Sequence, residues 1–321
     1  MVAVMSKAKN TRSGRVDRPE ALLQVRTGKQ SEFANDSLGH SPANEQPRPT
    51  KRPYVTKAKA AALAASLGPR ERVLLADVAR LGVASADQLR RLHYDHSEAG
   101  QRLARIDLAS LCEVQVLARL ERTVGGVRAG SKGHCYTVGV AGQRIVWPER
   151  RRYREPWTPN PAYLRHALGV SELYVQLRTQ MASRLLTYDT EPACWRSYSG
   201  PGGAPSTLKP DAFAVLDLGR FEDRYFCEID NATESGTRIA EKARAYIRYW
   251  QSGREIAASG VFPQVLWVTT TEARRDLMVG ALARLPAKHW QLFAVVTAVE
   301  AADRMTKGTI KTISNREEDR S

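Results

Sequence analysis

Tyr225-Phe-Cys-Glu-Ile-Asp230 is the stretch on which the reading of the C-terminal half turns. Its aromatic and branched residues favour a strand, and in a strand successive side chains point to opposite faces. Tyr225, Cys227 and Ile229 then lie on one face, and Phe226, Glu228 and Asp230 on the other. A strand in the middle of a covered sheet ordinarily reads as apolar on both faces. Two carboxylates side by side in such a place push each other's pKa up or demand a cation. A third carboxylate, Asp211, directly follows Lys209-Pro210 at the mouth of the preceding strand, and Glu172 on an upstream helix is a candidate fourth.

Outward from that strand the apolar period switches between helix and strand. Residues 163–186 carry a stripe at Leu164, Ala167, Leu168, Ser171, Tyr174 and Val175, which predicts one long amphipathic helix. Strands are predicted at 187–191, 212–216 and 225–229, with a Gly/Pro-rich loop at 199–205 and a turn near Gly219. Downstream come a helix at 237–251 with Ile239, Ala243, Tyr246, Ile247 and Trp250 inward, a strand at 264–270, a helix at 272–285 and a strand at 292–296. The order α-β-β-β-α-β-α-β over residues 162–300 predicts an α/β (α+β) domain with a mixed central sheet flanked by helices.

The N-terminal half reads differently. Pro69 opens a helix with Leu74, Val78 and Leu81 on one face and Gly82 as its stop. Ser85-Ala-Asp-Gln88 has the form of a capping box before Leu89 and Leu92, and Ser97 opens a third helix. On that third helix Ala99, Leu103, Ile106 and Ser110 share one face, with Gln101, Arg102 and Arg105 on others. A strand at 116–122, a loop with Gly125, Gly126, Gly130 and Gly133, and a strand at 134–138 make a β-hairpin. Residues 66–146 are thus expected to form a winged helix-turn-helix, with the third helix in the major groove and the hairpin tip along phosphates. Gln101, Arg102, Arg105, Arg128 and Lys132 are the DNA-contact candidates. Winged helices also serve as protein-interaction modules, so the preference for DNA rests on the basic chain around them.

That basic character is strong: 321 residues carry a formal charge of +15 and a pI near 9.9. Such a field favours polyanions. Residues 1–65 are rich in Lys, Arg, Ser, Asn and Pro without sustained apolar period, and read as a disordered basic arm that leads into a short helix from Lys57. Residues 147–161, with Glu149-Arg-Arg-Arg-Tyr-Arg154 and four prolines, read as a stiff linker, and 301–321 as a disordered tail. The longest apolar runs fall far short of a bilayer span, and Lys7 and Lys9 follow Met1-Val-Ala-Val-Met5 too closely for a secretory signal. The expected location is the cytoplasm, with double-stranded DNA as partner and no membrane. Cys112, Cys135, Cys194 and Cys227 form no CxxC pair and are expected as buried thiols. His93 and His96 have helical metal spacing but no second ligand pair nearby.

Carboxylates converging from adjacent strands suit a hard divalent ion such as Mg²⁺, which keeps several waters and uses one or two carboxylates plus phosphate oxygens. The candidate ligands are Asp211, Glu228, Asp230 and Glu172. Equally, Asp211 caps a turn and Glu228 and Asp230 pair with arginines at the sheet edge; spacing does not choose between these readings.

Pro210-Asp211, then Glu228-Ile-Asp230 on the next strand, within this element order, resembles the PD-(D/E)XK nuclease superfamily, whose fold is a restriction-endonuclease-like core. The longer succession resembles the replication-relaxation family: the winged helix, His166, Lys209-Pro-Asp211, Glu228-Ile-Asp-Asn-Ala-Thr-Glu-Ser235, the helix with Lys242 and Tyr246, and Phe262-Pro-Gln-Val-Leu266. That family occurs on actinobacterial and firmicute plasmids and integrative elements and is associated with plasmid replication or DNA relaxation. The resemblance covers about residues 70–285 and implies a Mg²⁺-dependent site at Asp211, Glu228 and Asp230, with replication or conjugation proteins as further partners. One departure stands out. The nuclease pattern usually has Lys two residues after the Glu, where this chain has Asp230; Lys242 on the following helix is the candidate migrated lysine, or else a surface lysine lying over Tyr246.

Three readings follow. The first is a metal-dependent DNA nicking protein, the second a non-catalytic replication or transfer accessory on a degenerate nuclease fold, and the third a transcriptional regulator. Tyr246 and Tyr249 leave a tyrosine transesterification open, without the His-rich cluster of a rolling-circle relaxase.

Overall fold

The computed structural model describes the backbone of Ser6–Ala8 and the chain over residues 55–120, 133–219, 221–232 and 234–307. Most of the basic arm, the hairpin tip with Arg128 and Lys132, and the tail from 308 lie outside the described residues. Within the arm, Ser6–Ala8 forms strand β1.

Caps written into the sequence start the N-terminal helices. Helix α1 (Lys57–Ser66) opens on Thr56, whose Oγ1 accepts from the Lys59 amide at 3.1 Å. Helix α2 (Pro69–Leu81) begins on proline and stops at Gly82, which takes φ of +74°. After the two-residue strand β2 (Ala84–Ser85), α3 (Ala86–His93) opens on the anticipated capping box: Ser85 Oγ accepts from Gln88 N at 3.2 Å, and Gln88 Oε1 accepts from Ser85 N at 2.9 Å. Ser97 caps α4 (Glu98–Glu113). Strands β3 (Leu117–Arg119) and β4 (Cys135–Val138) pair with β2 in the antiparallel order β2-β4-β3, which is the winged-helix arrangement. A short helix, α5 (Val140–Val146), follows.

The orientation of α4 differs from the reading by period. Its buried residues are Gly100, Ala104, Leu108 and Leu111, and the Ala99/Leu103/Ile106/Ser110 face is open to solvent. Gly100 explains the choice: a Cβ there would run into the backbone oxygen and carboxylate of Asp95, so the turn before α4 can seat only against this small residue.

The second half is built on α6 (Pro161–Met181), capped by Asn160. It ends sooner than its apolar period promised, because Leu185 and Leu186 already belong to strand β5 (Leu185–Thr190). A hairpin not anticipated from the sequence, β6 (Arg196–Ser199) and β7 (Pro205–Leu208), flanks the Gly/Pro loop. Then come β8 (Ala212–Asp217), β9 (Phe221–Asp230), α7 (Gly236–Gln251), α8 (Arg254–Ser259), β10 (Gln264–Thr269), α9 (Glu272–Leu282), β11 (Phe293–Thr297) and α10 (Ala301–Thr306). The stretch expected as a tail from 301 therefore starts with a helix that buries Ala301, Ala302 and Met305.

The main sheet runs β11-β10-β9-β8-β5, with β1 on the free edge at the start of β9. Strands β5, β8 and β9 pair antiparallel, and β9, β10 and β11 pair parallel. This is the mixed, restriction-endonuclease-like sheet, covered by α6 and α10 on one face and α7 and α9 on the other. Gly169 brings α6 close to the sheet; a Cβ there would lie 2.8 Å from Ile229 Cγ2.

The two halves share one apolar core, which passes from Leu74, Val78 and Leu89 through Leu173 and Tyr174 to Cys227 and Leu266. Polar contacts pin the join: Ser171 Oγ donates to the Val83 carbonyl at 2.6 Å and Tyr174 OH to Asp77 at 2.5 Å. The prolyl linker is docked too, since Gln143 on α5 exchanges side-chain hydrogen bonds with the backbone of Arg154 at 2.7 and 3.1 Å.

Candidate active site and nucleic-acid interface

The alternation expected of β9 is observed. Tyr225, Cys227 and Ile229 pack towards α6, and Phe226 packs with the aromatic cluster under α7. On that second face Glu228 is only 2% exposed. Helix α7 supplies its partners because residues one turn apart on a helix project together: Tyr246 OH donates to Oε1 at 2.5 Å and Lys242 Nζ to Oε2 at 2.9 Å. Lys242 also reaches Glu234 at 2.9 Å and lies 5.7 Å from the Trp267 ring. The candidate migrated lysine thus points to the sheet.

Asp211 enters from the residue before β8. Its Oδ2 accepts from the Ile229 amide at 2.6 Å, and Oδ1 lies 3.2 Å from His166 Nε2 on α6. Burial pushes the Glu228 carboxyl up to about 8, the neighbouring Asp211 charge pushes in the same direction, and Lys242 and Tyr246 pull against both. Burial draws the Lys242 ammonium down, but Glu228, Asp211 and Glu234 more than offset this and hold it above the ordinary lysine range. His166 is raised, chiefly by its hydrogen bond to Asp211. His166, Asp211, Glu228, Lys242 and Tyr246 therefore form one connected polar cluster at the ends of β8 and β9.

Two expected ligands fall outside it. Arg274 on α9 clamps Asp230 through both oxygens, at 2.6 and 2.9 Å, and the Ala232 amide adds a third bond at 3.1 Å. The Glu172 carboxylate is taken by Arg91 and Gln88 of α3. Both carboxylates have cationic partners of their own, and neither converges with Asp211 and Glu228. Among the described residues no three His, Cys, Asp or Glu side chains are placed to hold a metal. Asp211 and Glu228 are left as neighbouring carboxylates, the Asp211 charge raising the Glu228 pKa while Lys242 and Tyr246 occupy the two Glu228 oxygens.

Other sequence expectations resolve as packing. His93, at the end of α3, faces Asp77 at 3.3 Å, whereas His96 lies beyond the helix beside Arg90 at 3.3 Å, so the two rings serve different partners. Tyr246 is buried, with its hydroxyl pKa raised far up by that burial, and Tyr249 donates to Glu255 at 2.6 Å. Neither is an open nucleophile. Cys194 and Cys227 are buried, and Cys112 and Cys135 half-buried, and none of the four is in a disulfide. His166 was visible only as part of a motif. The signal that it belongs to the site is positional: it lies five residues after Pro161, on the first turns of α6, which cross the sheet near Asp211.

On the N-terminal half, Gln101, Arg102 and Arg105 stand on the solvent side of α4. They line one open surface together with Glu98, Ala99, Leu103 and Ile106.

No helix among the described residues is long and apolar enough to cross a membrane. No curated protein and no solved structure matches the chain. The model of the replication-relaxation family matches residues 75–265, more than half of the length. That span runs from within α2, through α4 and the hairpin, to β8, β9, α7 and the start of β10, and so includes the whole polar cluster. The chain belongs to the replication-relaxation family.

Proposed function

We propose that this protein acts in the replication or relaxation of a plasmid or mobile element by binding duplex DNA through α4 and the hairpin, and by nicking one strand at the Asp211–Glu228 pair. The observation that carries the reading is the Lys242 ammonium 2.9 Å from Glu228 with Asp211 beside it, the carboxylate-lysine combination of the nuclease pattern with its lysine supplied by the next helix. Asp211 and Glu228 would hold Mg²⁺, which supplies Lewis-acid polarisation of a phosphodiester. Lys242, protonated at neutral pH, serves as an electrostatic partner for phosphate charge rather than as a base. Tyr246 fixes the Glu228 rotamer, and His166 fixes that of Asp211.

The test is conversion of supercoiled plasmid carrying the element's own origin or transfer site to open circles in Mg²⁺. Wild type and Asp230→Asn should nick, whereas Asp211→Ala and Glu228→Gln should not. Identical products from wild type and Asp211→Ala would overturn the nicking assignment.

A second reading, a non-catalytic DNA-binding accessory, is favoured by the near-complete burial of Glu228 and by the Arg274 clamp on Asp230. It predicts tight, salt-sensitive binding to one DNA site without cleavage in any divalent metal.

A further inference from the structure

We infer that Leu103 and Ile106 on α4 determine the DNA sequence the protein prefers, by packing against the C5-methyl groups of thymines in the major groove. The inference rests on the DNA-binding part of the function proposed above and is independent of nicking.

Helix α4 already has a complete inner face in Gly100, Ala104, Leu108 and Leu111. Leu103 and Ile106 lie outside that inner face and stand 38% and 54% exposed. Single exposed leucines are ordinary. These two lie one helical turn apart on the same open surface as Ala99, and Gln101, Arg102 and Arg105 line that surface with them.

The chemistry of this face selects its occupant. Exposed arginines in a chain of charge +15 call for a polyanion. A second copy would bring Arg102 and Arg105 up against their own equivalents across a two-fold axis, where like charges repel. The major groove instead offers phosphates at its rims and, on its floor, one apolar group, the thymine methyl. Residues three apart on a helix are separated by about 4.5 Å along its axis, close to the roughly 3.4 Å between base pairs, so Leu103 and Ile106 can address neighbouring pairs. Glu98 on the first turn accepts from cytosine N4 and disfavours a phosphate there.

The experiment uses the full chain. A randomised 20-base-pair duplex pool is selected for binding, and the enriched duplexes are then remade with deoxyuridine at each thymidine in turn, which removes the methyl and keeps every hydrogen bond. Wild type should lose roughly fourfold in affinity per contacted methyl, at one or two positions. Leu103→Ala and Ile106→Ala should each abolish the loss at one of those positions, whereas Arg105→Ala should weaken binding to all duplexes and keep the discrimination. Equal affinity of wild type for thymine and uracil at every position, or full discrimination by both alanine variants, would overturn the inference and leave the DNA-binding reading intact. Failure to bind any duplex would overturn both. A wild-type dimer that either alanine variant dissolves would assign the face to a second copy, and would overturn the inference as well.

Discussion

Helices α4 and α7 are each 16 residues long, open on a serine cap and set arginines beside apolar residues, yet they present their stripes in opposite ways. Helix α7 has one stripe, Ile239, Ala243, Tyr246 and Ile247, and it is buried against the sheet. Its polar flank is carried in with it, which is how Lys242 reaches Glu228. Helix α4 has two stripes at helical spacing, and the one with the smaller residues is buried. The comparison teaches that hydrophobicity orients a helix when one stripe competes with polar faces, whereas close approach orients it when two apolar stripes compete.

The largest expected effects test that assignment of faces. Leu111→Ala on α4 and Ile239→Ala on α7 each remove a fully buried side chain, and should cost about 2–5 kcal/mol in urea unfolding. A small loss at Leu111 would return α4 to the orientation its larger residues suggested.

The polar flank of α7 gives the next effect, and it depends on pH. Glu228 is raised above its unfolded value, so its contribution to stability is present below the unfolded carboxyl range and is lost as pH rises towards the folded value of about 8. Lys242→Met removes the cation that offsets this loss. The lysine is 29% exposed, which trims the full cost of breaking a buried pair. The deficit should be small at pH 5 and reach about 1–3 kcal/mol at pH 9. Chemical unfolding at the two pH values checks it; a deficit independent of pH would show that Lys242 acts through packing alone.

How much was legible follows the same division. Caps and stops at Pro69, Gly82, Ser85 and Ser97 mark their helices because each is a local hydrogen-bond or φ requirement. The alternation of β9 placed Glu228 and Asp230 on one face, since a strand leaves no other choice. Long-range pairings were not legible. Arg274 lies 44 positions beyond Asp230, and Arg91 lies 81 before Glu172; nothing local says which cation a carboxylate will meet. The β6–β7 hairpin was hidden because Arg196-Ser-Tyr-Ser199 has too little apolar alternation to register as a strand. The helix after 300 was hidden because its apolar anchors, Ala301, Ala302 and Met305, are few and small.

Gly100 supplies the next test. Alanine is the better helix former by about 1 kcal/mol, but here its methyl would press on the Asp95 backbone, and such overpacking costs about 1–3 kcal/mol. Gly100→Ala should therefore be destabilising on balance, by about 1 kcal/mol. A stabilised variant would mean that the turn before α4 yields easily, and that close approach does not decide the orientation.

The smallest effect on stability is the sharpest test of the comparison. Leu103 and Ile106 are as apolar as anything in the buried stripe, so an account based on hydrophobicity alone expects their removal to hurt as much as that of Leu108 or Leu111. Because both are partly exposed, Ile106 more than Leu103, Leu103→Ala and Ile106→Ala should change the unfolding free energy by about 1 kcal/mol or less, well below the loss at Leu111, with the slope of the urea transition nearly unchanged. Alanine's helix propensity even favours the change slightly. With little stability at stake, the role left to these two side chains is the one inferred for the open face of α4, where they stand beside Gln101, Arg102 and Arg105. Loss of stability at Leu103 or Ile106 comparable with that at Leu111 would instead place them in a core, and would remove the face from the DNA interface.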